Sequence, residues 1–589
     1  MTEPPQPTEP TEPTEPTDRT EPSIPAEPTD GAEPASASSL PPPRRSLRRA
    51  TAVMASGTAT SRVLGLVRNM LLVAAIGLNA EAANAYDAAN RLPNAFFAIL
   101  AAGVLNAALV PQIVKALHRA GGERTVDRIL TIGGVITLGA TLAFTVTAQV
   151  WIAAYTDQWS PELLALATAF AYWCIPQLFF YGLYTLLGQV LNARSQFGPF
   201  MWAPVLNNVV SIAGLLAFIA FFGPFDEANP LAPEEWTPEA IAVIGGTATL
   251  GIAAQALILI IPLVRGGYRY HWRWRGPKGE LSVIGRVAAW ALAAVGVEQV
   301  GVLLVMRVAS AAATAPGAAA GGEVAGNAAY FHALSLYLVP HSVITISLVT
   351  AMYTAMAGHA ARSDMASLRR DLSQGLRTVG VLTMFTTAAM LVFAPYIVRV
   401  ALPTATAGEV QSVAWVMSAM VIGLVPLGAT VLFKRVYFVL EEARSIFYMH
   451  IPMTIAWVGV AYAFRLWAEP RWWTVGVGLG LAVSNLVGVV LRAGGLSRRL
   501  GGLDGRRILT MHAKAAIAAL VASAVVWALL RAVPPAESFT GLGGVLSALM
   551  IVAGGGIVLL GLYAAGLWLM RVDEARDTAR PILRRLRRG

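Results

Sequence analysis

Arg62 and Arg68, followed by Asp87, Asn90, Arg91 and Asn94, lie within or at the ends of two apolar runs joined by a short polar turn. The last four are spaced i, i+3, i+4, i+7, which places them on one face of an α-helix. An arginine at bilayer depth costs roughly 2.5 to 3.5 kcal/mol on insertion scales, so such residues persist where they line a watery chamber or meet a ligand. The competing reading of the stripe is an i, i+4 ion pair between Asp87 and Arg91 near the headgroups. Arg62 and Arg68 stand about 120° apart on a straight helix. One cavity takes both only if it is wide or the helix bends, for example at Gly65.

Further polar residues populate the second half: Glu298, Gln299 and Arg307 in one apolar run, then His332, Ser335, His341 and Ser342 in the next. Glu298, Arg307, His332 and Ser335 are candidates for a second-lobe cavity. Each histidine either titrates near neutral pH or serves as hydrogen-bonded packing. Asn207, Asn208 and Asn485 are expected to bond between helices. The sequence lacks a GxxxxGK[ST] phosphate loop, an HExxH pair, a Cys/His metal spacing and a GxSxG elbow, which points to a transporter without a cofactor or metal rather than an enzyme. Coupling to the membrane potential or to a monovalent cation stays open. The lone cysteine, Cys174, sits in an apolar run and excludes an intrachain disulfide.

The elements that must position these residues are membrane spans. The chain has 589 residues, 56% hydrophobic and 13% charged, against roughly 25% charged in soluble domains. Apolar runs suggest an all-α polytopic protein of about fourteen transmembrane helices, the first two near 51–77 and 83–114. The odd-numbered connections carry few cations (GLNAEAA, TDQWSP, DEANPLAPEEW), whereas the even-numbered ones are basic (RGGYRYHWRWRGPKGE, RAGGLSRRLGGLDGRR). By the positive-inside rule both termini are cytoplasmic. The aromatic and basic run from Gly266 to Glu280 is then an interfacial anchor rather than a nucleic-acid surface, and membrane lipids are the partners it suggests.

Pro176 precedes Ala193-Arg194-Ser195-x-Phe197 as Pro426 precedes Ala443-Arg444-Ser445-x-Phe447, an offset of about 250 residues; Pro93-Asn94 and Pro340-His341 recur at nearly that offset. Two six-helix lobes follow, 51–264 and 284–492, related by a pseudo-two-fold along the membrane normal, with two C-terminal helices at 514–570. Residues 1–43 repeat Thr-Glu-Pro and are expected to be a disordered cytoplasmic tail. Residues 571–589 form a basic cytoplasmic tail. Three functions fit this frame: alternating-access export of an anion, cation-coupled antiport of drugs or organic ions using Asp87 and Glu298, or a non-transporting scaffold recruiting cell-wall synthesis proteins through the tail.

SRVLGLVRN at Ser61 to Asn69, NRLPN at Asn90 to Asn94, ALVP ending at Pro111, and NARSQFGPFMWAPVLNN resemble the MurJ (MviN) lipid II flippases of the multidrug/oligosaccharidyl-lipid/polysaccharide exporter superfamily. The resemblance implies a bacterial plasma-membrane protein that moves undecaprenyl-diphosphate-linked peptidoglycan precursor from the inner to the outer leaflet, with the last two helices forming a groove for the lipid tail. It implies substrate-binding roles for Arg62, Arg68, Arg91 and Asn94. Three positions depart from the family pattern: an Asp early in the second helix is Asn84, an Arg shortly after Asn94 is Phe97, and an Arg of the eighth helix is Ser335. Either Asp87, Arg307 or His332 substitutes, or the chain is a paralogue with an altered substrate.

Overall fold

The computed structural model of the chain describes residues 44–101, 113, 122–194, 196–274, 285–315, 324–440, 442–539, 541–572 and 574. The described residues from 50 onward make one compact unit. The Thr-Glu-Pro tail and most of the basic tail lie outside the described residues, as does part of the second expected span. In a bilayer every backbone polar group needs an internal partner, so a chain this apolar folds as helices or a closed barrel. Helices are what form, with no strand among the described residues.

The first half comprises α1 (Arg44–Ile76), α2 (Glu81–Leu100), α3 (Glu123–Val146), α4 (Ala148–Tyr155), α5 (Pro161–Cys174), α6 (Gln177–Ala193), α7 (Phe197–Phe222), α8 (Pro238–Leu257) and α9 (Ile260–Arg265). The second half comprises α10 (Gly285–Ala313), α11 (Asn327–Pro340), α12 (Ser347–Ala361), α13 (Met365–Val392), α14 (Ala394–Ala401), α15 (Ala407–Val421), α16 (Leu424–Val439), α17 (Ala443–Trp467) and α18 (Trp473–Arg499). Two more helices follow, α19 (Gly505–Leu530) and α20 (Gly541–Leu569). Among the described residues 11 helices are long and apolar enough to cross a membrane, or 12 if the pair α15 and α16, bent by 45°, is one span. The helices missing from that set are α1 and α2, which carry the polar residues Arg62, Arg68, Asp87, Asn90, Arg91 and Asn94. Apolarity alone therefore does not reach the count of fourteen.

Three of the repeated prolines lie beside helix irregularities, whereas Pro93 sits inside unbroken α2. Pro176 separates α5 from α6, and the bend between α15 and α16 lies just before Pro426. A wide helical turn over His341–Ile346 follows Pro340. Helix starts on the weakly basic face are set by capping side chains. Ser160 Oγ accepts the Leu163 amide ahead of α5, and Thr237 does the same for Ala240 ahead of α8, each with proline at the first helical position. Thr406 and Glu409 form a capping box on α15. Helix α1 ends where Gly77 takes φ +76°, a left-handed conformation that glycine adopts without strain.

The apolar core is distributed unevenly between the two ends. One buried cluster contains Leu78, Ala85, Ile152 and Phe170 from the first half together with Val305, Ala329, Val413 and Trp457 from the second. At the opposite end each half has a core of its own, around Leu187, Leu191 and Leu263 in one and Leu368, Leu432 and Leu496 in the other. The halves are thus fused at the end bearing the weakly basic connections and separate toward the basic ones. Helices α19 and α20 pack on α13 and α14 through Val381, Phe393, Ala515, Ala522 and Tyr563.

Candidate binding cavity between the two halves

A cavity of about 350 Å³ lies where α1, α2, α6, α7 and α8 face α11. Its polar wall comes from Arg68 and Asn69 of α1, Asp87, Asn90, Arg91 and Asn94 of α2, and Gln177 and Tyr181 of α6. Asn207, Ser211 and Gln255 complete it on the first-half side, and Phe331, His332 and Ser335 of α11 close it from the second.

Arg91 Nε meets Asp87 Oδ1 at 3.2 Å, and the guanidinium lies over the Phe331 ring at 3.8 Å from its centroid. Asn327 Nδ2 donates to Asp87 Oδ2 at 3.4 Å and to the Asn84 carbonyl at 3.0 Å. The i, i+4 pair thus forms, and it lies in the cavity wall. Gln177 Nε2 donates to Asn90 Oδ1 at 2.9 Å, and Tyr181 OH donates to Gln177 Oε1 at 3.2 Å. Arg68 contacts only its neighbour Asn69 Oδ1, at 3.4 Å, in the hydrogen bonds it makes among the described residues. That leaves it the guanidinium of the cavity with the most donors to offer a ligand.

Other candidates lie elsewhere. Arg62 is exposed and donates to Ser342 Oγ at 2.9 Å, because α1 runs through Gly65 as one helix and keeps the two arginines on different faces. The grouping of Glu298, Arg307, His332 and Ser335 in one second-lobe cavity does not form. His332 and Ser335 join the central chamber. Glu298 is exposed on α10 and does not line the chamber. Arg307 is drawn to the fused end by a carboxylate from the other half.

That carboxylate is Asp157, which receives Arg307 Nη2 at 2.8 Å and Arg465 Nη1 at 2.6 Å. The Asp157 amide donates to Ser310 Oγ at 3.1 Å, and Trp159 Nε1 donates to the Ser310 carbonyl at 3.0 Å. A second junction is built on buried Glu409. Its Oε2 accepts the Thr406 amide at 2.9 Å, while Oε1 accepts the amides of Leu78 and Asn79 at 3.1 and 3.0 Å. A third pairs Asn84 Oδ1 with the Ala328 amide at 3.2 Å. Here Gly326 is required by space, since a Cβ would collide with the Asn84 carboxamide.

Sequence reasoning passed over Gln177, Tyr181, Gln255, Phe331 and Asn327; the first sits directly after Pro176, where a broken span exposes polar groups, and the rest carry no local signal. Asn208 bonds between helices as expected, donating to the Ser61 carbonyl at 2.8 Å, whereas Asn207 bonds within α7 to Ser211 and faces the cavity. Phe97 packs its ring on Tyr181 at 5.5 Å between centroids. Among the described residues no group of three or more His, Cys, Asp or Glu is placed to hold a metal ion.

A family profile described as Lipid II flippase MurJ matches residues 72–554. The probable lipid II flippase MurJ of Haemophilus influenzae is 24% identical over 497 residues, covering 80% of this chain and 90% of that one. That of Rhizobium meliloti is 23% identical over 433 residues, 71% and 74% of the two chains. Among solved structures, a lipid II flippase MurJ in an inward closed conformation superposes with a TM-score of 0.65 at 16% identity, over 87% of this chain and 99% of that one. An inward-facing MATE multidrug transporter of the MOP superfamily superposes with a TM-score of 0.57 at 16% identity, over 74% and 95%. At such identities the superpositions speak for the fold, which is the all-helical one expected from the sequence.

Proposed function

The chain belongs to the MurJ lipid II flippase family, and on that premise we propose that it carries lipid II, a polyprenyl-diphosphate-linked peptidoglycan precursor, from the inner to the outer leaflet of the bacterial inner membrane. The observation that carries the reading is a cationic chamber between two halves of a multi-pass helical protein, with Arg68 and Arg91 in its wall. An unpaired diphosphate in hydrocarbon is prohibitively costly, so a transporter must replace its water with fixed donors. Arg68 and Arg91 supply them, Asn90, Asn94 and Gln177 hydrogen-bond the adjacent sugar, and the polyprenyl chain stays in lipid.

Pockets for drug-sized ligands span about 300 to 1,000 Å³. A chamber of about 350 Å³ takes the diphosphate and a sugar, and the remainder of the headgroup enters as the halves part. Alternating access then consists of breaking the Asp157, Glu409 and Asn84 junctions while the separated ends close. At about 2.3 kcal/mol per charge per 100 mV, an inside-negative potential favours outward movement of the anionic head, with both termini on the cytoplasmic side.

The antiporter alternative needs a carboxylate free to exchange cations. Asp87 is held by Arg91 and Asn327, and Glu298 lies away from the cavity. The scaffold alternative places function in the tail, whereas the family match covers the helical body. The test is depletion of the protein in its host followed by assay of lipid-linked precursor on each leaflet. Accumulation on the cytoplasmic leaflet, rescued by the wild-type chain and by a chain lacking residues 2–40 but not by Arg68→Ala, is the expected result. Unchanged leaflet distribution on depletion overturns it.

A further inference from the structure

A second cavity, of about 590 Å³, opens where α13, α19 and the end of α20 meet on the face bearing the basic connections. Five cations line it, Arg377, Arg506, Arg507, Lys514 and Arg571, against two carboxylates, Asp504 and Glu574. Both carboxylates are already engaged. Asp504 receives Arg369 Nη2 at 2.9 Å, and Glu574 is paired with Arg377. Lys514 spends one donor on the Met570 carbonyl at 2.9 Å. Arg506, Arg507 and Arg571 form no ion pair among the described residues, so the cavity gathers positive charge that its own acids do not neutralise.

The ligand class follows from what lies beside that charge. On α19, Arg506, Thr510 and Lys514 follow at i, i+4 and i+8, and Ile517, Val521 and Val525 continue the same face at i+11, i+15 and i+19. These three aliphatic side chains are exposed. An anion held at the arginines would thus have an apolar track leading away from it toward the membrane interior. A soluble phosphate has no use for such a track; a lipid does. We propose that this cavity binds the phosphate headgroup of an anionic phospholipid whose acyl chains lie along Ile517, Val521 and Val525. Basic pockets between helices at the membrane interface are suited to that chemistry. The site is separate from the central chamber, and its proposal does not depend on what the chamber carries.

The test uses the full chain reconstituted in phosphatidylcholine with phosphatidylglycerol, mild delipidation, and native mass spectrometry of the lipid retained. R506Q/R507Q/R571Q should lower phosphatidylglycerol retention by about tenfold or more, given the contribution of each interfacial cation. R265Q/R269Q/R498Q, which removes equal charge from exposed positions outside the cavity, should retain it. Equal retention by the two triple variants, or equal loss, overturns the site. If thermal unfolding in lipid-free detergent shows that the first variant does not fold, Arg507→Glu alone gives the same readout. Phosphatidylglycerol should raise the melting temperature of the detergent-solubilised protein where inorganic phosphate does not. An equal rise with inorganic phosphate, abolished by the same variant, overturns the assignment to a lipid.

Discussion

Arg91 is held on two sides, by the Asp87 carboxylate and by the Phe331 ring, and its planar guanidinium is what allows both contacts along with outward-facing donors. Arg91→Lys keeps the charge but loses the planar stacking on Phe331 and the fork of donors. Precursor translocation by that variant should fall about tenfold, equivalent to about 1.4 kcal/mol, with little change in thermal stability because the residue is only partly buried. Measurement in reconstituted vesicles checks it, and full activity of the lysine variant would reduce Arg91 to a point charge. The stripe of Asp87, Asn90, Arg91 and Asn94 was legible in the sequence because helical spacing is local and four polar groups on one face of an apolar helix mark a wetted wall. The partition of Arg62 from Arg68 was legible only as a condition, since it depends on whether α1 bends. Asn327 and Phe331 were illegible: their roles come from α11 meeting α2 across the two halves, a contact about 240 residues apart in the chain that no local pattern encodes.

At the scale of elements, the connections on the weakly basic face do more than join helices. The loop after α4 presents Asp157 to α10 and α17, and the cap of α15 lends Glu409 to the turn after α1. Asp157→Ala leaves Arg307 and Arg465 without their shared carboxylate. Charge-assisted hydrogen bonds contribute about 1.5 to 3 kcal/mol, discounted here because Asp157 retains some exposure. Cysteines introduced at the fused end should label roughly tenfold faster in that background, as the equilibrium shifts toward the state in which this end is open. Unchanged labelling would show that the shared apolar core alone keeps the end closed. Gly326→Ala acts at the third junction by driving Asn84 away from the Ala328 amide, and leaving these buried polar groups unpaired costs about 1 to 3 kcal/mol; a melting temperature within a degree of wild type would count against that packing. Charge alternation among connections supplied the expected order of spans, because the Lys and Arg content of each connection is counted directly. Pro176 and Pro426 were readable as a repeat, and the structure places a helix break beside each. That α1 and α2 fall short of apolar spans follows from the polar residues they carry into the cavity.

Across the whole molecule, the halves share an apolar core at one end and have separate cores at the other. The proposed cycle requires the fused end to open, since the expected topology places that end at the outer leaflet. Asn79 and Ser412 sit on opposite halves at that end, with Asn79 Nδ2 donating to Ser412 Oγ at 3.2 Å. Their side chains are close enough for N79C and S412C to be bridged by a disulfide or a short dithiol reagent. The lone native thiol, Cys174, is buried in the core, so it neither competes for the bridge nor needs removal. Under oxidising conditions the double variant should lose essentially all translocation while still binding precursor offered from the cytoplasmic side, and reduction should restore the activity. The single variants should transport in both conditions, which separates the bridge from the loss of the hydrogen bond. If the bridged protein moves precursor at the wild-type rate, the fused end is a static joint and the substrate crosses without the halves exchanging their open and closed ends.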